Sequence, residues 1–251
     1  MRALITGASS GIGKDIAKVL SQKGYELILV ARDEEKLENT KQELGGKNNI
    51  ELITMDLSKE ENCKTLAHNV KDIDLLVNNA GFGDCGSFEK TDLDKDIKMI
   101  ETNVIAYHIL TKLYLKEMIE KNSGKILNVA SIAGFMPGPL MATYYATKNY
   151  IVRLSESIRE ELKKSNSKVQ ISILCPGPVN TNFNKVANVK FKLREANSMQ
   201  VAKYAVKKLE AGKFYIVPGI DIKLARFAAK IIPSNIVAKV TYKVQKRKLS
   251  K

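Results

Sequence analysis

Cysteine and histidine are scarce in this chain of 251 residues, which contains three cysteines and two histidines. The cysteines, at positions 63, 85 and 175, are scattered and form no CxxC pair, so they predict neither a disulfide framework nor a zinc site. With only His68 and His108, a histidine-rich metal site is not expected, and we predict no bound metal. Reduced thiols of this kind are typical of a cytoplasmic protein.

Long apolar runs are also missing. The opening residues, MRALITGASS, lack the apolar stretch of a signal peptide. The longest uncharged run, residues 126–147, contains Asn128, Pro137 and Pro139, and a spanning helix would have to satisfy those breaks inside lipid. Apolar residues make up 44% and charged residues 27% of the chain, as in a globular soluble domain. We expect one cytoplasmic domain over residues 1–251.

Acidic residues are rare near the C-terminus. The formal net charge is +14, and residues 221–251, here called the basic tail, hold nine Lys or Arg and one acid, a net +8. The charge excess is therefore mainly a property of the tail. It is not interleaved with aromatic residues, so we expect no nucleic-acid partner.

Apolar strand-like segments alternate with amphipathic helical segments from the first residues onward. This order predicts an α/β fold with a parallel sheet covered by helices on both faces, and right-handed crossovers favour a doubly wound Rossmann sheet of seven strands. The strands are predicted at 2–6, 26–31, 50–54, 73–77, 125–130, 169–175 and 214–217. The helices are predicted at 11–23, 33–44, 91–120, 144–164 and 198–211, and a further helix is predicted to follow residue 58. Asp33 is the predicted cap of the second helix, and Ser58 with Glu61 forms a predicted capping box for the third. Thr91 with Asp94 is predicted to open the helix over 91–120. The less regular residues 182–197 are predicted to form a mobile flap.

A glycine-rich turn follows the first predicted strand. Glycine permits a tight backbone path and lets a pyrophosphate approach the N-terminus of the next helix. The spacing is G-x-x-x-G-x-G, which differs from the common G-x-G-x-x-G fingerprint. A purely structural turn is the alternative. The residues assigned to the cofactor here are Gly7, Ser9, Ser10, Gly11, Ile12 and Gly13.

Arg32 follows the second predicted strand, where a site for NAD would place an acidic residue against the ribose 2′-hydroxyl. A guanidinium at this position suits a 2′-phosphate, so we predict NADP(H) as the cofactor. The alternative is an ordinary surface arginine before a helix.

Tyr144 and Lys148 are four residues apart at the start of a predicted helix, so both side chains project from one face. Ser131 lies just past the fifth predicted strand, at the sheet edge that carries the ligand crevice. Lowering a tyrosine pKa from about 10 to about 7 takes roughly 4 kcal/mol. One ammonium at about 4 Å and an effective dielectric constant of about 20 supplies that much. A Tyr–Lys pair alone, however, is more often without function.

Several motifs occur together in one order: TGASSGIG (6–13), NNAG (78–81), Asn103, Ser131 with Tyr144 thirteen residues later, YYATK (144–148) and PGPVNT (176–181). In this combination the chain resembles the short-chain dehydrogenase/reductase family in its single-domain form. The resemblance covers residues 2 to about 218.

The resemblance implies a role for each matching position. Tyr144 is the acid/base, Lys148 lowers its pKa and holds the nicotinamide ribose, Ser131 binds the reacting oxygen, and Asn103 holds a water in a proton relay. The implied cofactor contacts are Asp56 at the adenine, Asn79, Ala80 and Gly81 along the cofactor, and Pro176, Gly177, Val179 and Thr181 at the carboxamide. From the residues alone, Asn103 would be a polar residue on an exposed helix face, Asp56 a turn residue, and Asn79 a brace of the sheet. Tyr145 is predicted to be a packing residue.

The basic tail lies outside these motifs. Leu224, Phe227, Ala228 and Ile231 share one helical face, Lys223, Arg226 and Lys230 share another, and Pro233 separates a second basic amphipathic segment at 234–248. Such helices either make a weak contact with an anionic membrane surface or pack on the domain or a partner subunit. The sequence favours packing, because the apolar faces need covering and members of the family usually assemble as dimers or tetramers.

The sequence therefore predicts an NADP(H)-dependent oxidoreductase that transfers a hydride between the nicotinamide and a small carbonyl or secondary alcohol substrate, as a homodimer or homotetramer. Two alternatives remain. One is a peripherally membrane-associated reductase of lipid-like or acyl ketones, whose apolar loop 134–141 lines the substrate pocket. The other is an NADP(H)-binding sensor without turnover.

Overall fold

The computed structural model describes residues 1–45, 49–187 and 195–249. Seven strands form one parallel sheet in the order β3-β2-β1-β4-β5-β6-β9, and β7 and β8 form a separate short parallel pair. The strands are β1 (Arg2–Thr6), β2 (Glu26–Ala31), β3 (Ile50–Thr54), β4 (Leu75–Asn78), β5 (Lys125–Val129), β6 (Gln170–Leu174), β7 (Val179–Asn180), β8 (Ala196–Asn197) and β9 (Tyr215–Ile216). The predicted seven-stranded, doubly wound sheet is confirmed.

Helices cover both faces of this sheet. They are α1 (Gly11–Gln22), α2 (Glu34–Glu43), α3 (Glu60–Asn69), α4 (Leu93–Ile100), α5 (Ala106–Glu120), α6 (Ala142–Lys164), α7 (Phe183–Val186), α8 (Ser198–Glu210), α9 (Ile220–Ile231) and α10 (Ser234–Leu249). Short 3₁₀ turns lie at Phe88–Lys90 and Ile132–Phe135. Within the ranges described, no helix has the length and apolar character needed to span a bilayer.

The core consists of two apolar layers, one on each face of the sheet. Successive strand residues point to opposite faces, so Leu4 of β1 joins one layer while Ala3 and Ile5 join the other. The first layer packs against α3, α5 and α6, and the second against α1 and α8. Burial on both faces explains why the strands read as near-continuous apolar runs.

Two predicted helix starts are wrong in detail. Lys59, not Ser58, precedes α3, and Ser58 instead donates its backbone N–H and its hydroxyl to Asp56 Oδ1, at 3.1 and 2.9 Å. The hydroxyl of Ser58 therefore bonds the aspartate two residues upstream instead of capping α3. Asp92 caps α4 by accepting from the Lys95 backbone N–H at 2.8 Å, while the Thr91 hydroxyl donates to Asp96.

The helix predicted over 91–120 is not continuous. Residues Glu101–Ile105 form a π-helical turn between α4 and α5, in which the Ala106 N–H donates to the Glu101 carbonyl. Such single turns often mark functional positions. The turn contains Asn103, which is fully buried rather than on an exposed face.

The region predicted to form a flap contains regular structure at both ends. α7 lies at its start, and β8 pairs with β7 at its end. The remainder of that prediction, residues 188–194, lies outside the described residues.

The tail forms two helices, as the position of Pro233 predicted. Their orientation differs from the expectation that the apolar face covers the domain. On α9, Ile222 and Ala229 pack against the core, together with Arg226, whereas Leu224 and Phe227 point outward.

Candidate active site

A cleft of about 770 Å³ opens at the carboxyl edge of the sheet. Residues that follow β1, β2, β4, β5 and β6 line it. Strand order reverses between β1 and β4, the place where open α/β sheets bind ligands. The predicted site residues in its wall are Gly7, Ser9, Ser10, Gly11, Ile12, Arg32, Asp56, Asn79, Ala80, Gly81, Ser131, Tyr144, Lys148, Pro176, Gly177, Val179 and Thr181. Gly13 and Asn103 lie behind this wall.

The turn after β1 requires its glycines. Gly7 and Gly11 have positive φ angles of 65° and 55°. A Cβ at Gly7 would lie 2.8 Å from Ala80 Cα, and one at Gly13 would lie 2.3 Å from Asn79 Nδ2. The turn therefore packs directly on the segment after β4, and this close approach exposes the N-terminus of α1 to the cleft.

Asn79 and Thr6 hold these two segments together. The Thr6 hydroxyl accepts from the backbone N–H groups of Asn79 and Ala80 at 2.9 and 3.0 Å. The Asn79 amide donates to the carbonyls of Thr6 and Gly7, both at 3.1 Å. The Asn79 side chain thus braces the sheet, and the backbone of Ala80 and Gly81 forms the cleft wall.

The N-terminus of α1 fits an anionic group such as a pyrophosphate. Among the described residues, no side chain caps this helix and no acidic residue occupies its first turn. Its first N–H groups therefore remain available as donors, and the helix dipole favours negative charge there. The residues present fit the phosphates of a dinucleotide.

Charged residues of both signs line the far end of the cleft. Arg32 and Lys36 line it together with Asp33 and Asp56. Asp33 caps α2 and pairs with Lys36, and this hydrogen bond lowers the Asp33 pKa. Burial opposes the charge of Asp56, but hydrogen bonds from Ser58 and the nearby charge of Arg32 lower its pKa below the usual value. Both carboxylates are thus ionised and engaged by their neighbours.

Ser131, Tyr144 and Lys148 meet in the middle of the cleft. The Ser131 hydroxyl lies near the Tyr144 phenol, donates to the Pro176 carbonyl at 3.5 Å and accepts from the Ala133 backbone N–H at 3.2 Å. Lys148, one helical turn after Tyr144, donates to the Val129 carbonyl at 2.9 Å. Its Nζ lies 5.9 Å from the centroid of the Tyr144 ring. The three predicted side chains are therefore brought together.

Burial controls the protonation of this cluster. It raises the pKa of Tyr144 above its usual value, and the nearby Ser131 hydroxyl acts in the opposite sense. It lowers the pKa of Lys148 to about 8. The shift of Tyr144 is opposite in direction to the lowering that the sequence assigned to Lys148, because desolvation dominates in this geometry. At neutral pH the site holds a neutral phenol beside a mostly protonated amine.

Asn103 contacts the cleft from behind. Its Oδ1 accepts from the Phe82 N–H at 3.1 Å, and its Nδ2 donates to the Phe82 carbonyl at 2.8 Å and to Thr147 Oγ1 at 3.2 Å. A Cβ at Gly81 would lie 2.8 Å from Asn103 Oδ1. The asparagine therefore ties the segment after β4 to α6.

The other side of Tyr144 is largely apolar. Met141, Tyr145, Phe183 and Val186 line this part of the cleft, with the Phe183 ring 5.3 Å from the Tyr144 ring. Tyr145 packs edge-on against Tyr144, as predicted, and its hydroxyl accepts from Gln245 of α10. This arrangement suits a substrate with an apolar group beside its reacting oxygen.

Two supporting residues were missed from the sequence. Asn149 donates to the carbonyls of Ala133, Met136 and Tyr145, at 3.0, 3.1 and 2.9 Å, and so fixes the loop before α6. Its position one residue after the YYATK motif was an available signal. Gln245 is more than one hundred residues from the loop, and nothing in its local sequence indicates this contact.

Comparison with known proteins agrees with this geometry. A family model described as short chain dehydrogenase matches residues 1–190. The 3-oxoacyl-[acyl-carrier-protein] reductase FabG of Rickettsia prowazekii is 31% identical over 205 residues, which cover 81% of this chain and 83% of that protein.

Solved structures share the fold over most of the chain. A short-chain dehydrogenase from Sphingobium yanoikuyae in complex with NADPH superposes with a TM-score of 0.84 at 25% identity, covering 91% of each chain. A short-chain dehydrogenase/reductase from Burkholderia phymatum in complex with NAD gives 0.82 at 24% identity, covering 90% of this chain and 91% of the other. The nucleotide-binding Rossmann fold and the family match together place this chain among the oxidoreductases of the short-chain dehydrogenase/reductase family, which use a nicotinamide cofactor.

Proposed function

We propose that this protein is an NADP(H)-dependent oxidoreductase that interconverts a carbonyl and a secondary alcohol, with Tyr144 as the acid/base. The observation that carries the proposal is that Ser131, Tyr144 and Lys148 line the same cleft, with Lys148 one helical turn after Tyr144. A sensor that only binds the cofactor has no use for such a set of proton-transfer groups. Turnover of any carbonyl substrate would exclude the sensor alternative.

In the reductive direction, the substrate carbonyl oxygen accepts hydrogen bonds from the Ser131 and Tyr144 hydroxyls. A nicotinamide cofactor, when bound, would supply the hydride that the carbonyl carbon accepts. Tyr144 then transfers its proton to the oxygen, and the Lys148 ammonium stabilises the phenolate that forms. The raised pKa of Tyr144 supports this direction, because the phenol holds its proton at neutral pH until the substrate oxygen becomes more basic.

Asn103 is proposed as a positioning residue for this reaction. Both polar atoms of its side chain already bond Phe82. A relay water would therefore bind a main-chain group of this π-helical turn rather than the amide itself.

NADP(H) is proposed as the cofactor on the basis of Arg32. The arginine lines the end of the cleft beyond β2, where Lys36 adds a second cation. Asp33, the carboxylate next to Arg32 in the sequence, already caps α2 and pairs with Lys36. A guanidinium is therefore the group best suited to a ribose 2′-phosphate, while Asp56 is proposed to contact the adenine.

The remaining cofactor contacts are proposed from their positions in the wall. Gly7, Gly11 and the first turn of α1 would hold the pyrophosphate, and Lys148 the nicotinamide ribose. The segment after β6, including Val179 and Thr181, would hold the carboxamide. Thr181 lies next to the glycine turn, since a Cβ at Gly11 would lie 3.1 Å from its side chain.

An acyl or lipid-like ketone is the second candidate substrate. The apolar wall formed by Met141, Phe183 and Val186 favours it, and FabG, named as a 3-oxoacyl reductase, is among the relatives. A panel of small ketones, acyl thioester ketones and their alcohols, run with NADPH and with NADH, tests both candidates. Turnover confined to NADH, or none on any carbonyl, would contradict the proposal.

A homodimer or homotetramer in the cytoplasm is proposed as the working form. Apolar side chains on α4 and α5 support assembly, since Ile97 is 47% and Leu113 41% exposed in the single chain. Cys63 and Cys175 are buried thiols, in keeping with a reducing compartment. Light scattering of the purified protein would give the assembly state directly.

A further inference from the structure

The outer side of α9 carries an uncovered apolar stripe. Ile220, Leu224, Phe227 and Ile231 are spaced three or four residues apart and are each between 64% and 76% exposed. Residues at this spacing lie on one side of a helix. Lys223 and Lys230, also exposed, flank the stripe. Apolar residues normally turn inward, so a continuous exposed row of four large side chains indicates a binding surface.

The inner side of α9 fixes this orientation. Ile222 packs so closely on the segment after β6 that a Cβ at Gly177 would lie 2.4 Å from its Cδ1. The Arg226 guanidinium stacks 3.5 Å from the centroid of the Tyr215 ring, whose hydroxyl donates to Glu156. Rotating the stripe inward would break these contacts and bury the lysines.

α10 begins three residues after α9 ends and carries a cationic surface. It is attached to the domain by the buried residues Val237, Thr241 and Gln245, and the Thr241 hydroxyl donates to the Pro137 carbonyl at 2.9 Å. Its opposite side exposes Lys239, Lys243, Lys246 and Arg247 together with Ile236 and Val240.

We propose that α9 and α10 form a docking surface for an anionic lipid bilayer. The α9 stripe would enter the boundary between headgroups and acyl chains, and the lysines of both helices would contact acidic headgroups. The inference goes beyond the proposed oxidoreductase function and does not depend on it.

Charge selects a bilayer over a second copy of this chain. The basic tail carries nine Lys or Arg and only one acid, Asp221. Two copies joined through this surface would bring two such tails together and repel each other. An acidic lipid surface attracts each basic residue near it and accepts the apolar stripe as well.

Sedimentation with vesicles tests the proposal. The full-length protein should sediment with vesicles of phosphatidylglycerol and phosphatidylcholine in equal parts, and much less with pure phosphatidylcholine. Added salt should weaken the binding, because the exposed charges are screened. Failure to bind the anionic vesicles at low salt would overturn the proposal.

Matched variants locate the surface. Phe227→Gln should reduce vesicle binding severalfold, whereas Phe88→Gln, at a similarly exposed phenylalanine in a 3₁₀ turn, should not. Lys239→Gln with Lys243→Gln should also reduce it, whereas Lys203→Gln with Lys207→Gln, the same spacing on α8, should not. NADPH affinity should stay unchanged in all four variants, which checks that each is folded.

Two results would overturn the assignment. Equal binding by Phe227→Gln and Phe88→Gln would show that the stripe takes no part. Dissociation of an oligomer by Phe227→Gln, without vesicle binding by the parent protein, would assign the surface to a second copy of the chain.

Discussion

Gln245 and Tyr145 lie 100 residues apart in the sequence, and the Gln245 amide donates to the Tyr145 hydroxyl. Gln245 is 1% exposed and belongs to the final helix, while Tyr145 lines the cleft beside Tyr144. The tail therefore holds part of the cleft wall in place, although none of its residues was assigned to the chemistry.

This contact predicts that Gln245→Leu raises the KM for the carbonyl substrate and leaves NADPH affinity unchanged. The loss of one buried hydrogen bond, with the Tyr145 hydroxyl left unpaired, should lower the free energy of unfolding by about 1–3 kcal/mol. A double-mutant cycle with Tyr145→Phe measures the pair directly. Strictly additive effects of the two substitutions on stability and KM would contradict the contact.

Tyr144→Phe tests the acid/base assignment. It keeps the ring and removes the transferable proton, so turnover should fall by about 10²–10⁴-fold. NADPH binding, followed by fluorescence, should persist. Tyr145→Phe is the matched control and should keep most of the turnover, because its hydroxyl faces Gln245. The reverse ranking of the two variants would move the acid/base role to Tyr145.

Arg32→Ala tests cofactor selection. Removal of charge-assisted hydrogen bonds worth about 1.5–3 kcal/mol should weaken NADPH binding by roughly tenfold to a hundredfold. NADH affinity should change little. Lys98→Ala is the control, since Lys98 lies 3.7 Å from Asp56 but does not line the cleft. Equal losses for both cofactors in Arg32→Ala would argue against a 2′-phosphate contact.

The pH dependence follows from Lys148. Burial lowers its pKa to about 8, so the free enzyme loses the ammonium as pH rises through that value. Because the charged form is proposed to stabilise the Tyr144 phenolate, kcat/KM for carbonyl reduction should decrease above pH about 8. Tyr144, whose pKa is raised, stays protonated across this range. In Lys148→Arg the side chain stays charged, so this inflection should disappear, and its persistence would assign it to another group.

Much of the fold follows from pattern alone. Strands buried on both faces, such as β2 after Glu26, read as continuous apolar runs, and the glycine turn after β1 marks the cleft. The grouping of Ser131, Tyr144 and Lys148 was predicted because the combined motifs resemble those of the family, and the local spacing from Tyr144 to Lys148 alone would not have been sufficient.

The features that the sequence did not predict are those for which several local structures have nearly equal free energy. Ser58 and Asp92 show that several polar residues near a helix start compete for the same backbone groups. The π-helical turn at Asn103 adds one residue to a helical repeat without changing the apolar pattern enough to reveal it. The outward apolar stripe of α9 violates the usual rule of burial, because Arg226 finds aromatic partners inside.

The attachment of α10 through Val237, Thr241 and Gln245 makes the chain length before it critical. These residues are spaced at four, and one added residue between Pro233 and Val237 would turn the helix by about 100°. The side that now bonds Tyr145 would then point toward solvent, and charged side chains would move toward the domain. Insertions and deletions should therefore be tolerated after Gln245 far better than between Pro233 and Val237. The number of residues between Pro233 and Val237 thus determines whether Gln245 can reach Tyr145.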